Sequence, residues 1–125
     1  MRVHKISNGD GAWTAVGDRR IFVNDLIDAA THPHARMTVG FARLDKGESM
    51  DITFPYDEVL IVTKGSYAVR TAEGETLYAA GGEVLYLPAG TSSSSWAEED
   101  TEIVYVASPP DVYAAHVAAS VSGQP

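Results

Sequence analysis

The stretch Thr53–Gly65, TFPYDEVLIVTKG, sets Asp57 and Glu58 directly before an unbroken run of Val, Leu, Ile and Val. A short apolar run rich in β-branched residues and closed by a glycine predicts a strand buried on both faces. Successive side chains of a strand point to opposite faces, so an inward Glu58 sends Asp57 outward. A carboxylate carried into a core must be paired or metal-bound, or it takes up a proton. What surrounds Glu58 therefore decides much of the function.

The rest of the chain repeats the pattern. Segments rich in Val, Ile, Tyr and Thr recur between turn signals at 20–27, 36–44, 49–54, 58–64, 66–71, 75–80, 83–88, 92–96 and 101–108. Such a rhythm predicts an all-β sandwich or barrel. Gly65, between two of these segments, reads as a hairpin turn. A chain of 125 residues suits one domain. We divide it into an N-terminal arm over 1–19, a barrel over about 20–108 and a tail over 109–125. In the tail, Ser108 is a candidate N-cap, Pro109 and Pro110 fit a first turn, and the Ala-rich continuation predicts one short helix. Trp13 reads as an anchor for the arm.

Composition removes several classes of chemistry. The absence of cysteine excludes disulfides, thiolate metal sites and a cysteine nucleophile. Seventeen acidic against nine basic residues give a net charge of -8 with no basic stripe, the wrong field for a phosphate backbone, so no nucleic-acid partner is expected. No apolar run is long enough to span a bilayer and the N-terminus turns polar at once, which predicts a cytoplasmic protein without membrane contact. Consecutive apolar strand positions leave a second face to cover, and a homodimer would cover it.

Two glycine-punctuated stretches resemble the paired motifs of the cupin superfamily. Gly47, Glu58 and Gly65 hold the glycine and acidic places of the first motif, and Gly82, Pro88 and Gly90 match the second, with Ser93 where a histidine belongs. The blocks VNDLID, MTVGFARLDKGE, PYDEVLIVTKG, GGEVLYLPAGTS and IVYVASPP resemble, in that order, the cupin domain of the ethanolamine-utilisation protein Q family. The resemblance implies a single-domain cupin, a double-stranded β-helix or jelly-roll barrel.

It also implies a degenerate metal site. Counting back from Glu58, the two remaining histidine places of the first motif fall on Ile52 and Phe54 or on Asp51 and Thr53, and neither pair contains a histidine. A lone carboxylate does not hold a transition metal, so neither metal nor other cofactor is expected. An alternative is a metal-dependent cupin enzyme using His32 and His34 of THPHAR together with Glu58, since residues one apart share a strand face. Pro33 between the two histidines argues for a loop instead.

In the barrel register the candidate catalytic residues are Glu58, Tyr56 and Tyr86. The candidate substrate-binding residues are Ser93, Ser95, Trp96, Tyr105, Asp51 and Thr53. Arg43 and Lys64 are further candidates to compensate Glu58 if they reach the barrel mouth. A Glu58 kept protonated by an apolar interior would move a proton on a small polar molecule without metal, as an isomerase, lyase or cyclase does. The alternative of a different class is a non-catalytic module that binds an effector or a protein.

Overall fold

The computed structural model describes residues 2–122, apart from the side chains of residues 52 and 120–122. Its strands are β1 (Thr14–Ala15), β2 (Ile21–Ile27), β3 (Thr38–Leu44), β4 (Ser49–Thr53), β5 (Asp57–Lys64), β6 (Ser66–Thr71), β7 (Thr76–Ala80), β8 (Glu83–Leu87), β9 (Ser92–Ala97) and β10 (Thr101–Ser108), followed by helix α1 (Pro110–Ser122). Two antiparallel sheets form, in the orders β1-β2-β3-β10-β5-β8 and β4-β9-β6-β7. Every segment expected to be a strand is one, and β1 adds a short strand from the N-terminal arm. The ladders remain two facing sheets of a jelly-roll rather than a closed hydrogen-bonded cylinder.

Alternation writes the core directly. Along β10, Thr101, Ile103, Tyr105 and Ala107 are buried while the residues between them are half-buried. Glu58, Leu60 and Val62 do the same on β5. They meet Tyr67, Val69, Ala79 and Ala97 of the second sheet in one cluster. Each large apolar side chain fully buried there contributes about 1.5–3 kcal/mol.

Gly65 is not a hairpin turn. β5 pairs with β10 and β8, whereas β6 pairs with β9 and β7, so at Gly65 the chain crosses from one sheet to the other. Its φ of 86° and the close approach of Thr101 Oγ1, 2.6 Å from where a Cβ would lie, leave room for glycine alone. Ser108 does not cap the helix either. Its hydroxyl donates to the Arg36 carbonyl at 3.1 Å, Pro109 lies before the helix, and the Pro109 carbonyl accepts the Tyr113 N–H. Trp13 anchors the arm as expected, with the Arg43 guanidinium 4.1 Å from its ring centroid. No helix among the described residues is long and apolar enough to cross a membrane.

Candidate functional site

Glu58 is 6% exposed and points between the sheets. Asp57 before it is exposed and accepts the Ala89 N–H at 2.9 Å, so the adjacent acids divide as strand geometry requires. Ladder register places Thr38, Ala107, Glu58 and Leu87 in one row across the six-stranded sheet, and Asp25, Gly40, Tyr105 and Leu60 in the next. Asp25 thereby becomes the second acid of the interior. The Tyr105 and Tyr113 hydroxyls both donate to Asp25 Oδ1, the latter at 2.9 Å.

Gly40 makes that arrangement fit. A Cβ there would lie 2.5 Å from the Tyr105 ring carbon Cζ and 2.5 Å from the Asn24 carbonyl. Without a side chain at 40, the Tyr105 phenol lies across β3 and reaches Asp25 on β2. Between Asp25 and Ile27 the β2–β3 register slips, a bulge that ends the regular alternation just beyond Asp25.

Helix α1 supplies the remaining wall. Tyr113 is buried, its ring 5.2 Å from Tyr56 and 6.3 Å from Tyr105, and His116 one turn on stands edge-on to Tyr56 at 5.6 Å and to Phe54 at 5.5 Å. Residues three apart share a helix face, so one stripe of α1 closes this end of the sandwich. On the opposite sheet the buried Tyr67 hydroxyl donates to Ser95 Oγ at 2.5 Å.

The electrostatics follow from this acidic, aromatic interior. Burial, then the negative charge of Asp25, pushes the Glu58 carboxyl up to about 8. Burial likewise raises Tyr56, Tyr105 and Tyr113 above the ordinary phenol range, with the neighbouring acids adding to it. Tyr67 is pushed up to about 12, burial outweighing its hydrogen bond to Ser95. The shift favours the protonated form of Glu58 near neutral pH. Thr38 Oγ1 and Ser93 Oγ are buried and have no hydrogen-bond partner among the described residues.

Of the residues expected at the site, Glu58, Tyr56, Tyr105, Ser93 and Ser95 face the interior. Tyr86 does not. It is 62% exposed and pairs with the outward Val59, because β8 buries Leu87 and half-buries Leu85 on the other face. Asp51, Thr53 and Trp96 also point away: position 52 pairs with the inward Ser93, so its neighbours 51 and 53 fall on the outer face, beside Ser94 and Ser92. Arg43 is exposed and pairs with Glu102 at 3.6 Å, and Lys64 is exposed; neither compensates Glu58. His32 and His34 lie in the loop between β2 and β3, His32 bonded to Thr31 Oγ1 and packed on His4, His34 exposed. Among the described residues no three His, Asp or Glu side chains gather into a metal site.

Asp25 and Tyr113 escaped the sequence reading. Asp25 follows Asn24, and two successive polar residues in an apolar strand do not reveal which one turns inward; the glycine opposite, Gly40, is the available hint. Tyr113 belongs to a tail whose docking no local pattern specifies.

Known structures place this arrangement in context. Ethanolamine utilization protein Q of Salmonella typhimurium LT2 is 31% identical, with a TM-score of 0.65 over 72% of this chain and 70% of that one. The EutQ protein of Clostridium difficile is 24% identical, with a TM-score of 0.67 over 86% and 82% of the two chains. KdgF from Halomonas sp., 19% identical with a TM-score of 0.72 over 86% and 94%, shares the fold. No curated protein matches the chain. The ethanolamine utilisation protein EutQ family model matches residues 3–114, and with the two glycine-punctuated motifs and the two-sheet fold the chain belongs to that family.

Proposed function

We propose that this chain is a cupin that takes a small polar molecule between its sheets and moves a proton on it without a metal, with Glu58 as the acid. The observation that carries this reading is a carboxyl 6% exposed, beside a second acid, with its pKa raised to about 8. Two acids in one interior whose environments differ are suited to opposite roles. Glu58, neutral, donates a proton; Asp25, holding two phenol donors, stabilises positive charge developing nearby and orients Tyr105 and Tyr113. Tyr56, next to Glu58, and the unpartnered Ser93 hydroxyl supply polar contacts to the substrate. Proton transfer of this kind serves isomerase, lyase or cyclase chemistry.

The chain works as a homodimer in this reading. Val84 and Tyr86 are 56% and 62% exposed, and across the sheet they continue into Ile61, Val59, Val104 and Val106. An apolar sheet face of this extent suits a second copy of the same chain.

The test is a thermal-shift screen of small carboxylic acids, amines and phosphates on wild type and Glu58→Gln. A ligand that stabilises the wild type and not the variant supports the reading, because ligand binding to the folded state raises stability by mass action. A ligand that stabilises both equally removes Glu58 from the binding site, and one that is bound but returned chemically unchanged leaves the cupin as a binding module. One tightly held transition metal per chain, lost on replacing Glu58, would refute the metal-free mechanism.

A further inference from the structure

The outward side of the four-stranded sheet carries an arrangement the interior site does not use. Its register places Tyr78, Ala68, Trp96 and Ser49 in one row, and Thr76, Arg70, Ser94 and Asp51 in the next. Ser92 and Thr53 form a third row. Asp51, Thr53, Arg70, Thr71, Ser92 and Ser94 line an open groove of about 390 Å³. That volume falls within the roughly 300–1,000 Å³ of small-molecule sites.

The chemistry of the groove is specific. Asp51 Oδ1 accepts the Ser94 hydroxyl at 3.1 Å, which leaves Oδ2 exposed to a ligand. Thr53 and Ser92 hydroxyls are 3.1 Å apart. Arg70 is exposed, and no hydrogen bond or ion pair engages it among the described residues, so its fork of donors is free. In the neighbouring row of the same outer face, outside the groove's own lining, Trp96 and Tyr78 flank Ala68, which is 0% exposed, and the Trp96 indole nitrogen donates to Glu98 Oε1 at 2.7 Å, fixing the ring. Tyr78 is 61% exposed. The face therefore joins an aromatic platform to a patch of hydroxyls, one free guanidinium and one half-free carboxylate.

We propose that this face is a second binding site, for a neutral sugar of more than one ring. The opposed charges of Arg70 and Asp51 cancel locally, so an anionic ligand would meet Asp51 and the net charge of -8, while an amine would meet Arg70. Vicinal hydroxyls both donate and accept, which Asp51, Arg70 and the Ser/Thr row satisfy together. The apolar face of a second ring lies on Trp96 or Tyr78. From Trp96 to Ser92 the strand runs about 13 Å, longer than one pyranose.

The chain has two tryptophans, so a Trp13→Phe background makes Trp96 the sole fluorescent tryptophan. The probes are maltose, cellobiose and lactose, with glucuronate and glucosamine as charged controls. A saturable change in Trp96 emission is expected with at least one disaccharide, weakened about tenfold or more by Arg70→Ala and by Asp51→Ala. Both residues are exposed, so the variants should melt as the parent does. Glu58→Gln should leave sugar binding unchanged, which separates this site from the interior one. The proposal is overturned if none of the three disaccharides gives a saturable change, if the two variants bind as the parent does, or if a charged control binds more tightly. It also falls if Tyr78→Ala and Arg70→Ala abolish self-association in sedimentation, which would make the face a subunit interface.

Discussion

The Tyr105 hydroxyl reaches Asp25 only because Gly40, which stands between them in the ladder, has no side chain. Two strands apart, phenol and acid would otherwise be separated by whatever residue 40 projected inward. A single missing Cβ thus decides whether the interior contains a hydrogen-bonded acid or a crowded one.

Gly40→Ala is expected to destabilise the fold by about 1–3 kcal/mol through overpacking. Tyr105→Phe removes the donated hydrogen bond and should relieve part of the crowding. Urea denaturation of the two single variants and the double variant tests the coupling. Strictly additive losses would mean that Gly40 does not serve the Tyr105–Asp25 contact.

Glu58 gives a pH signature of defined sign. Its carboxyl titrates near 8 in the fold against 4.5 when unfolded. Between those values the folded state keeps a proton that the unfolded chain has released, so wild-type stability falls as pH rises through this window and levels off above it. Glu58→Gln has no such proton to lose. Its stability relative to wild type should grow across the window by on the order of a few kcal/mol. A difference that stays constant from pH 5 to 9 would show that Glu58 is not held neutral.

Tyr113 ties α1 to the sandwich through Asp25. Tyr113→Phe removes a hydrogen bond to a charged group and is expected to cost about 1.5–3 kcal/mol. The loss should appear first as faster amide hydrogen exchange in Pro110–Ser122, with β5 and β10 still protected. Equal loss of protection in all three elements would place the role of Tyr113 in the global core instead.

The proposed dimer makes its own demand. Tyr86→Glu puts a charge in the middle of the exposed apolar face and should shift the protein to monomer in sedimentation velocity, with little change in monomer fold since Tyr86 is 62% exposed. A wild type that sediments as a monomer at every concentration removes the dimer from the account.

The sequence by itself determined the local conformation. Runs of β-branched and aromatic residues between turn signals made β5 and β10 legible as strands, the cupin-like motif implied an inward Glu58, and alternation then sent Asp57 outward, as the burial along β5 bears out. Proline-led, Ala-rich sequence made α1 legible in the same way. The cupin glycines at 47, 65, 82 and 90 all have positive φ and marked turns, yet whether Gly65 joined paired strands or separate sheets depended on which strands lay alongside. Only the tertiary structure decided the company Glu58 keeps. Asp25 is 80 residues from Tyr105 and 88 from Tyr113, and no periodicity encodes such a meeting. Likewise Asp51 and Thr53 went to the outer face because the pairing of position 52 with Ser93 fixed the register of β4, and a slip of one residue would have turned both inward, while Trp96 faces outward because Ser95 and Ala97 on either side of it in β9 are the buried ones.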